Sequence, residues 1–325
     1  MEFGVLSTAG IARKDVLPAI TASEQQVGAI ASRSRERAAA VAEEFSIPRH
    51  YGSYEALLDD TGIDAVYIPL PNGLHAEWIR RAADAGLDVL CEKPLTVDAD
   101  EAREIVEYCR QRDCTLMEAF MYRYHPRTER AIELADTALD EVRSVSASFK
   151  FSLYGDPDDI RLDPTLAGGS LMDVGCYAVS AARQFLGEPD RVYAHSDDSR
   201  GTGVDTELAG VLEYDDGSSA RIASGFDTPK VQRYRIEATN GWIEVPDAFD
   251  APTDEALELD YEIDGQRHTE QFDPVDQYRL EVEGFADCVE NDSQPLIDGA
   301  EAVANMRVID GLYESATRGT PVDLS

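Results

Sequence analysis

A chain of 325 residues is long enough for two domains of ordinary size, and its 43% hydrophobic content excludes a wholly disordered polypeptide. Its 64 acidic residues against 29 basic ones give a formal charge of −35, with no local basic patch, so neither nucleic acid nor an anionic membrane is an expected partner. No apolar run approaches the roughly 20 residues that span a bilayer, and Met1-Glu2-Phe3 does not begin a basic-then-apolar leader, so a soluble, cytoplasmic protein is expected.

The first third alternates short apolar runs with amphipathic stretches, the pattern of parallel β-α-β units. Strands are predicted at Phe3-Gly4-Val5-Leu6, Val27 to Ala31, Ala65 to Ile68, Asp88 to Cys91 and Thr115 to Glu118. Helices are predicted over about 11–20, from Ser34 to Glu44 with Ser34 or Ser32 as cap, from Leu74 to Ala85, and from Ala99 to Arg112. Six or so strands in this length suggest an open, doubly wound Rossmann sheet over residues 1–122.

From about 123 the rhythm changes to β-rich segments separated by turn signals: Val142–Leu153, Arg191–His195, Leu208–Tyr214, Ser219–Gly225, Arg233–Ala238, Gly241–Val245, Ala256–Tyr261 and His268–Phe272. Helical stretches stand at about 170–186, Asp276–Asn291 and 299–318. Residues 123–325 therefore read as an α+β domain with a large, mostly antiparallel open sheet, whose last helix can pack back on the first domain.

Small residues follow the first strand. Gly4, Ser7, Thr8, Ala9, Gly10 and Ile11 would let a dinucleotide pyrophosphate approach a helix N-terminus, although Gly4 can equally serve tight strand–helix packing. At the end of the second strand an NAD site would place Asp or Glu; this chain has Ser32-Arg33-Ser34-Arg35 with Arg37 nearby, which suits the 2′-phosphate of NADP. Pro71, Asn72 and His75 follow the third of these strands, at the edge where such sheets bind ligands; Asn72 can alternatively cap the next helix. Glu92 and Lys93 follow the next strand at the same edge, with Glu92 placed to pair with Lys93 or hold the loop. Lys93 is one of four lysines beside 25 arginines, which points to a task for a compact ammonium. In Gly168-Gly169-Ser170-Leu171-Met172-Asp173-Val174-Gly175-Cys176-Tyr177, helical spacing puts Asp173 and Tyr177 on one face. A phenol with pKa near 10 is a poor base alone, and a nearby ammonium such as that of Lys93 would improve it. The alternative roles are a helix cap for Asp173 and a buried aromatic for Tyr177.

So acidic, lysine-poor a composition is that of a protein kept hydrated in multimolar salt, where screening removes self-repulsion. The five cysteines form no CxxC pair or disulfide framework and read as reduced thiols, and the five scattered histidines show no metal-ligand spacing, so no metal is expected.

GVLSTAGIA at the start, EKP at 92–94, EAFMYRYHP at 118–126 and GGSLMDVGCY at 168–177 together resemble the Gfo/Idh/MocA family of oxidoreductases over nearly the whole chain. The resemblance implies a Rossmann domain binding NAD(P) and a C-terminal domain supplying the substrate wall and often the oligomer interface, here of a homodimer or homotetramer. It implies Lys93 on the reacting hydroxyl, Asp173 as its helper and Tyr177 as proton donor or acceptor, since Tyr stands where many relatives have His. It adds Tyr122, Arg123, His125 and Tyr154 as candidates for the sugar pocket. Ser7 departs from the pattern, standing where relatives often have the middle glycine. The branch so resembled includes glucose-fructose oxidoreductases, sugar dehydrogenases and dihydrodiol dehydrogenases. The expected activity is NADP-dependent oxidation of an aldopyranose at C1, D-xylose before D-glucose. A trans-dihydrodiol substrate is the alternative, and a silent NADP-binding sensor is the non-enzymatic one.

Overall fold

The apolar runs of the first third form six parallel strands in the computed structural model, which describes residues 1–153 and 159–324. These are β1 (Glu2–Leu6), β2 (Gln26–Ala31), β3 (Arg49–Tyr51), β4 (Ala65–Ile68), β5 (Asp88–Glu92) and β6 (Leu116–Ala119), ordered β3-β2-β1-β4-β5-β6. Strands covered on both faces read as unbroken apolar runs, and Val5, Leu6, Val66, Ile68, Val89 and Leu90 are all fully buried. β3 escaped the sequence reading because three half-buried residues make no run. The order reverses between β1 and β4, and in open α/β sheets ligands bind at the carboxyl ends of the strands at that point.

The crossovers are α1 (Leu17–Ala22), α2 (Arg35–Phe45), α3 (Tyr54–Leu58), α4 (His75–Asp84) and α5 (Ala99–Arg110). Ser34, not Ser32, caps α2 by accepting from the Arg37 N–H, and Asp98 caps α5 by accepting from Glu101. A π-helical turn, Ala12–Val16, leads into α1.

The second sheet has nine strands: β7 (Val142–Lys150), β8 (Arg191–Asp197), β9 (Glu207–Glu213), β10 (Ser219–Gly225), β11 (Val231–Ala238), β12 (Gly241–Pro246), β13 (Leu257–Ile263), β14 (Gln266–Phe272) and β15 (Val322–Asp323). β7 runs parallel to β10, and the other pairings are antiparallel. Asp264 and Gly265, at φ +52° and +76°, make the tight turn between β13 and β14 that their Asp-Gly sequence predicts. Helices α6 (Pro126–Thr137) and α7 (Cys176–Leu186) pack on this sheet, α7 lying over β7, β10 and β11 against Val145, Ala147, Ile222 and Ile236.

The contiguous division between 122 and 123 suggested by the sequence is not the structural one. Met1–Met121 forms a unit with Asp276–Val303, and Tyr122–Val275 forms the other with Ala304–Ser325. Helix α8 (Gln277–Glu290) thus belongs to the first unit, its Phe285 ring 5.9 Å from that of Phe3. Helix α9 (Gly299–Arg318) spans the sequence boundary between the two. Among the described residues no helix is long and apolar enough to cross a membrane.

Ser7 ends the first strand at φ +145°, a region that favours glycine. Its hydroxyl recovers part of the cost by accepting from the Ala9 N–H at 3.0 Å. Ser7→Gly should therefore stabilise the protein by about 1 kcal/mol, strain relief exceeding the extra chain entropy of glycine, and raise Tm by about 2 °C in a thermal melt.

Candidate active site

The first unit gathers its candidates at the carboxyl ends of β1, β2, β4 and β5. Gly4 lies inside β1, where an added Cβ would meet Leu57 Cδ2 at 2.7 Å and Ile63 Cδ1 at 2.8 Å, so its small size serves strand–helix packing. Gly10 differs, being exposed with open space around its missing Cβ. Ser7, Thr8, Ala9 and Ile11 flank it at half-buried positions where the chain enters the Ala12–Ala22 helical segment, so this stretch fits an approaching diphosphate. At the end of β2, Ser32 is buried with its hydroxyl accepting from Ser34 N–H at 3.3 Å. Arg33 and Arg37 are exposed and enter no ion pair among the described residues, although 25 of the 29 basic side chains here are arginine and most pair with acids. Two unneutralised guanidinium groups at this edge fit a 2′-phosphate.

Lys93 stands on a turn held from three sides. The Tyr67 hydroxyl donates to Glu92 Oε1 at 2.6 Å, and Glu118, buried within β6, accepts the Leu95 N–H at 2.8 Å. Between them the fully buried His75 ring lies 2.9 Å from the Pro94 carbonyl through Nδ1 and 2.8 Å from the Leu70 carbonyl through Nε2. Burial pushes the His75 pKa down and favours the neutral ring, which donates to one carbonyl according to its tautomer. His75 therefore lies between the turn after β4 and the turn after β5 and hydrogen-bonds one of them. Glu92 likewise serves the turn through Tyr67, whose own pKa is raised by burial and by this carboxylate. Pro71 and Asn72 stay half-buried at the strand edge, Asn72 opening a short 3₁₀ turn; α4 starts at His75, and Leu74 before it supplies no side-chain cap.

In the second unit the glycine pair of the GGSLMDVGCY segment has a packing explanation. A Cβ on Gly168 would collide with the Arg161 carbonyl, and one on Gly169, at φ +120°, with Asp205. Without side chains they let Gly168 N–H reach the Asp163 carbonyl at 3.0 Å and Gly169 N–H the Arg161 carbonyl at 2.8 Å. Asp205 then accepts from Ser170 Oγ at 2.6 Å, Leu171 N–H at 2.9 Å and the Tyr313 hydroxyl at 2.7 Å, satisfying donors where the helix begins. The helix opens with a π-helical turn, Leu171–Gly175, before α7; such turns recur at functional sites.

Asp173 lies in that turn, its Oδ2 accepting from Arg161 Nε at 2.8 Å, while Arg161 Nη1 donates to Asp159 at 3.2 Å. The Asp173 carboxylate raises the Arg161 pKa. Tyr177, one turn on, is buried with its ring 5.5 Å from both Phe149 and Phe249 and 5.9 Å from Tyr122.

Two of the sugar-pocket candidates make framework bonds. Tyr122 is buried with its hydroxyl 2.8 Å from Ser180 Oγ, and His125 caps α6, its Nδ1 accepting from Arg127 N–H at 3.1 Å. Burial and Arg127 lower the His125 pKa to about 4, so the ring is neutral at ordinary pH. Arg123 is also buried, and Tyr154 lies outside the described residues. Sequence reasoning missed Tyr67, Glu118, Arg161 and Asp205. Only Glu118 left a signal, a carboxylate inside the apolar strand Leu116–Ala119.

Residues 1–120 match the model of an oxidoreductase family with an NAD-binding Rossmann fold, and residues 132–244 match the GFO/IDH/MocA C-terminal domain. The chain is 59% identical over 324 residues to D-xylose 1-dehydrogenase (NADP(+)) 2 of Haloferax volcanii, each chain covered completely. It is 30% identical to D-xylose 1-dehydrogenase [NADP(+)] of Haloarcula marismortui, with 100% of this chain and 93% of the relative covered. Among solved structures it resembles a 3-ketoreductase from Actinomadura kijaniata in complex with NADP and TDP-benzene, at TM-score 0.90, 32% identity and 97% coverage of both chains.

Replacing His75 by Leu separates positioning from cofactor contact. The Pro94 and Leu70 carbonyls lose their shared partner, and the Lys93 turn shifts. The expected result is a fall in kcat of about 10- to 100-fold with the dissociation constant for NADP changed less than about 3-fold, measured by steady-state rates and cofactor fluorescence titration.

Proposed function

The chain belongs to the GFO/IDH/MocA oxidoreductase family, and on that premise we propose that it oxidises the C1 hydroxyl of an aldopyranose to the aldonolactone, with D-xylose as preferred substrate and NADP as hydride acceptor. The observation that carries this reading is the full-length likeness to an NADP-linked D-xylose dehydrogenase. Lys93 and Tyr177, present in their expected segments, support a working enzyme over a silent binding protein.

Bound NADP would accept the hydride, a chemistry that is its own. Ser7 to Ile11 would hold its diphosphate, and Arg33 with Arg37 its 2′-phosphate. Tyr177, acting as phenolate, takes the proton of the C1 hydroxyl while the C1–H electron pair leaves as hydride and the C1–O bond becomes the lactone carbonyl. The Lys93 ammonium favours the developing negative charge on oxygen. Asp173, ion-paired with Arg161, would accept a hydrogen bond from the substrate. The charged trio Asp159, Arg161 and Asp173 suits a polyhydroxylated substrate better than a trans-dihydrodiol, whose apolar ring would leave those groups unmatched.

The sheet face opposite α7 carries Ser144, Ser146, Ser148, Ala209, Val211 and Ala223 at half-buried or exposed positions, with exposed Tyr193 beside them. The same face carries the ion-paired Arg221, Arg233, Arg235, Glu237 and Glu244, so a homodimer or homotetramer built through the second sheet would use a mixed polar surface. The cysteines are all free, which suits the reducing cytoplasm.

Initial rates in about 2 M KCl with D-xylose, D-glucose, L-arabinose and a trans-dihydrodiol test the reading, D-xylose being expected to give the largest kcat/KM. Lys93→Met and Tyr177→Phe should each lower kcat by about 100-fold or more. Arg33→Ala should raise KM for NADP by about 10- to 100-fold and leave that for NAD nearly unchanged. Saturable NADP binding without turnover of any of the four would instead support the sensor.

A further inference from the structure

Arg161 has donors that the ion network does not use. Its Nε is committed to Asp173 and its Nη1 to Asp159, whereas Nη2 has no partner among the described residues. The side chain is 41% exposed, against 17% for Asp159 and 18% for Asp173, so the arginine is the most accessible member of the trio. Its backbone is fixed as well, because the Arg161 carbonyl receives the Gly169 N–H and the glycine pair permits no retreat. The result is a pre-oriented fork beside the Asp173 carboxylate, which stands one helical turn before Tyr177.

We propose that Arg161 determines sugar specificity: its Nη2 donates to one ring hydroxyl of the substrate while the adjoining hydroxyl donates to Asp173. A hydroxyl both donates and accepts, so two neighbouring ones meet a guanidinium and a carboxylate with every partner satisfied. A cation at this place, already neutralised by two carboxylates, recognises hydroxyls without attracting an anionic ligand. The assignment rests on the sugar dehydrogenase reading and says which substrate atoms that reading must engage away from C1.

The test pairs enzyme variants with substrates lacking one hydroxyl. Wild type, Arg161→Lys and Arg161→Met are assayed with D-xylose and its 2-, 3- and 4-deoxy analogues, alongside melting temperature and NADP affinity. Lysine keeps the charge on both aspartates but lacks the second arm of the fork. Wild type should reject one deoxy analogue by about 10- to 100-fold in kcat/KM. In both variants KM for D-xylose should rise by a similar factor, and discrimination against that same analogue should fall below about 3-fold. Because discrimination is a ratio within one preparation, partial misfolding does not move it. An unchanged analogue profile in both variants overturns the proposal and leaves Arg161 a purely structural partner of Asp173. A wild-type enzyme that binds NADP yet oxidises no D-xylose overturns the functional reading itself, and the proposal with it.

Discussion

The turn from Glu92 to Leu95 is the constraint on which the first unit's chemistry depends. A strand end that leaves a sheet carries unsatisfied backbone groups, and this one leaves into buried surroundings where an unmet carbonyl or N–H costs about 1–3 kcal/mol. The His75 ring lies against the Pro94 carbonyl, Glu118 accepts the Leu95 N–H and Tyr67 holds the Glu92 carboxylate. The partners come from β4, the start of α4 and β6, the immediate neighbours of β5 in the sheet. The position of Lys93 is therefore a consequence of strand order. Any rearrangement that moved β4 or β6 relative to β5 would strand one of these buried groups, so fold and lysine placement are stabilised by the same bonds.

The second unit solves a similar problem by different means. A helix N-terminus leaves free N–H groups, and here a carboxylate remote in sequence, Asp205, meets the first of them together with two hydroxyls. The burial of Tyr313 against Asp205 raises the phenol pKa and keeps it a donor. Asp205 thus orients the segment bearing Asp173 and Tyr177, and the aromatic rings of Phe149, Phe249 and Tyr122 fix the Tyr177 ring from the other side. Removing Cβ atoms at 168 and 169 makes the approach possible, so the glycines act through what they allow their neighbours to reach.

What was legible in the sequence follows from range. Periodicity, turn chemistry and caps are local, so five of the six parallel strands, the β-rich second half and the hairpin at Asp264-Gly265 could be read from neighbouring residues. The motif segments around Lys93 and Tyr177 were legible as segments. Their supports were not: Arg161 meets Asp173 across 12 positions and Asp205 meets Ser170 across 35, and nothing in either local pattern announces the partner. His75 and Gly4 show the converse difficulty. Each stands where a cofactor contact is reasonable, but a histidine between two carbonyls and a glycine under Leu57 and Ile63 are already occupied by the fold. The excursion of residues 122–275 between two parts of the first unit was illegible for the same reason, since α8 is recognised as a first-unit helix only by what it packs against.

Charge sets the remaining condition. A surface of −35 repels an anionic dinucleotide at low salt, and screening shortens that repulsion to about 3 Å at 1 M. Under such screening only contact-range charge discriminates, and contact-range charge is what the chain retains: Arg33 and Arg37 exposed without ion pairs among the described residues, Arg161 held between two aspartates. Exposed pairs such as Arg81 with Glu77 and Arg110 with Glu107 contribute little each and less in salt. The arginines left out of such pairing at the end of β2 are therefore the ones whose charge remains available to a ligand, and in high salt a hydrogen-bonding fork keeps its directionality after its long-range field is gone.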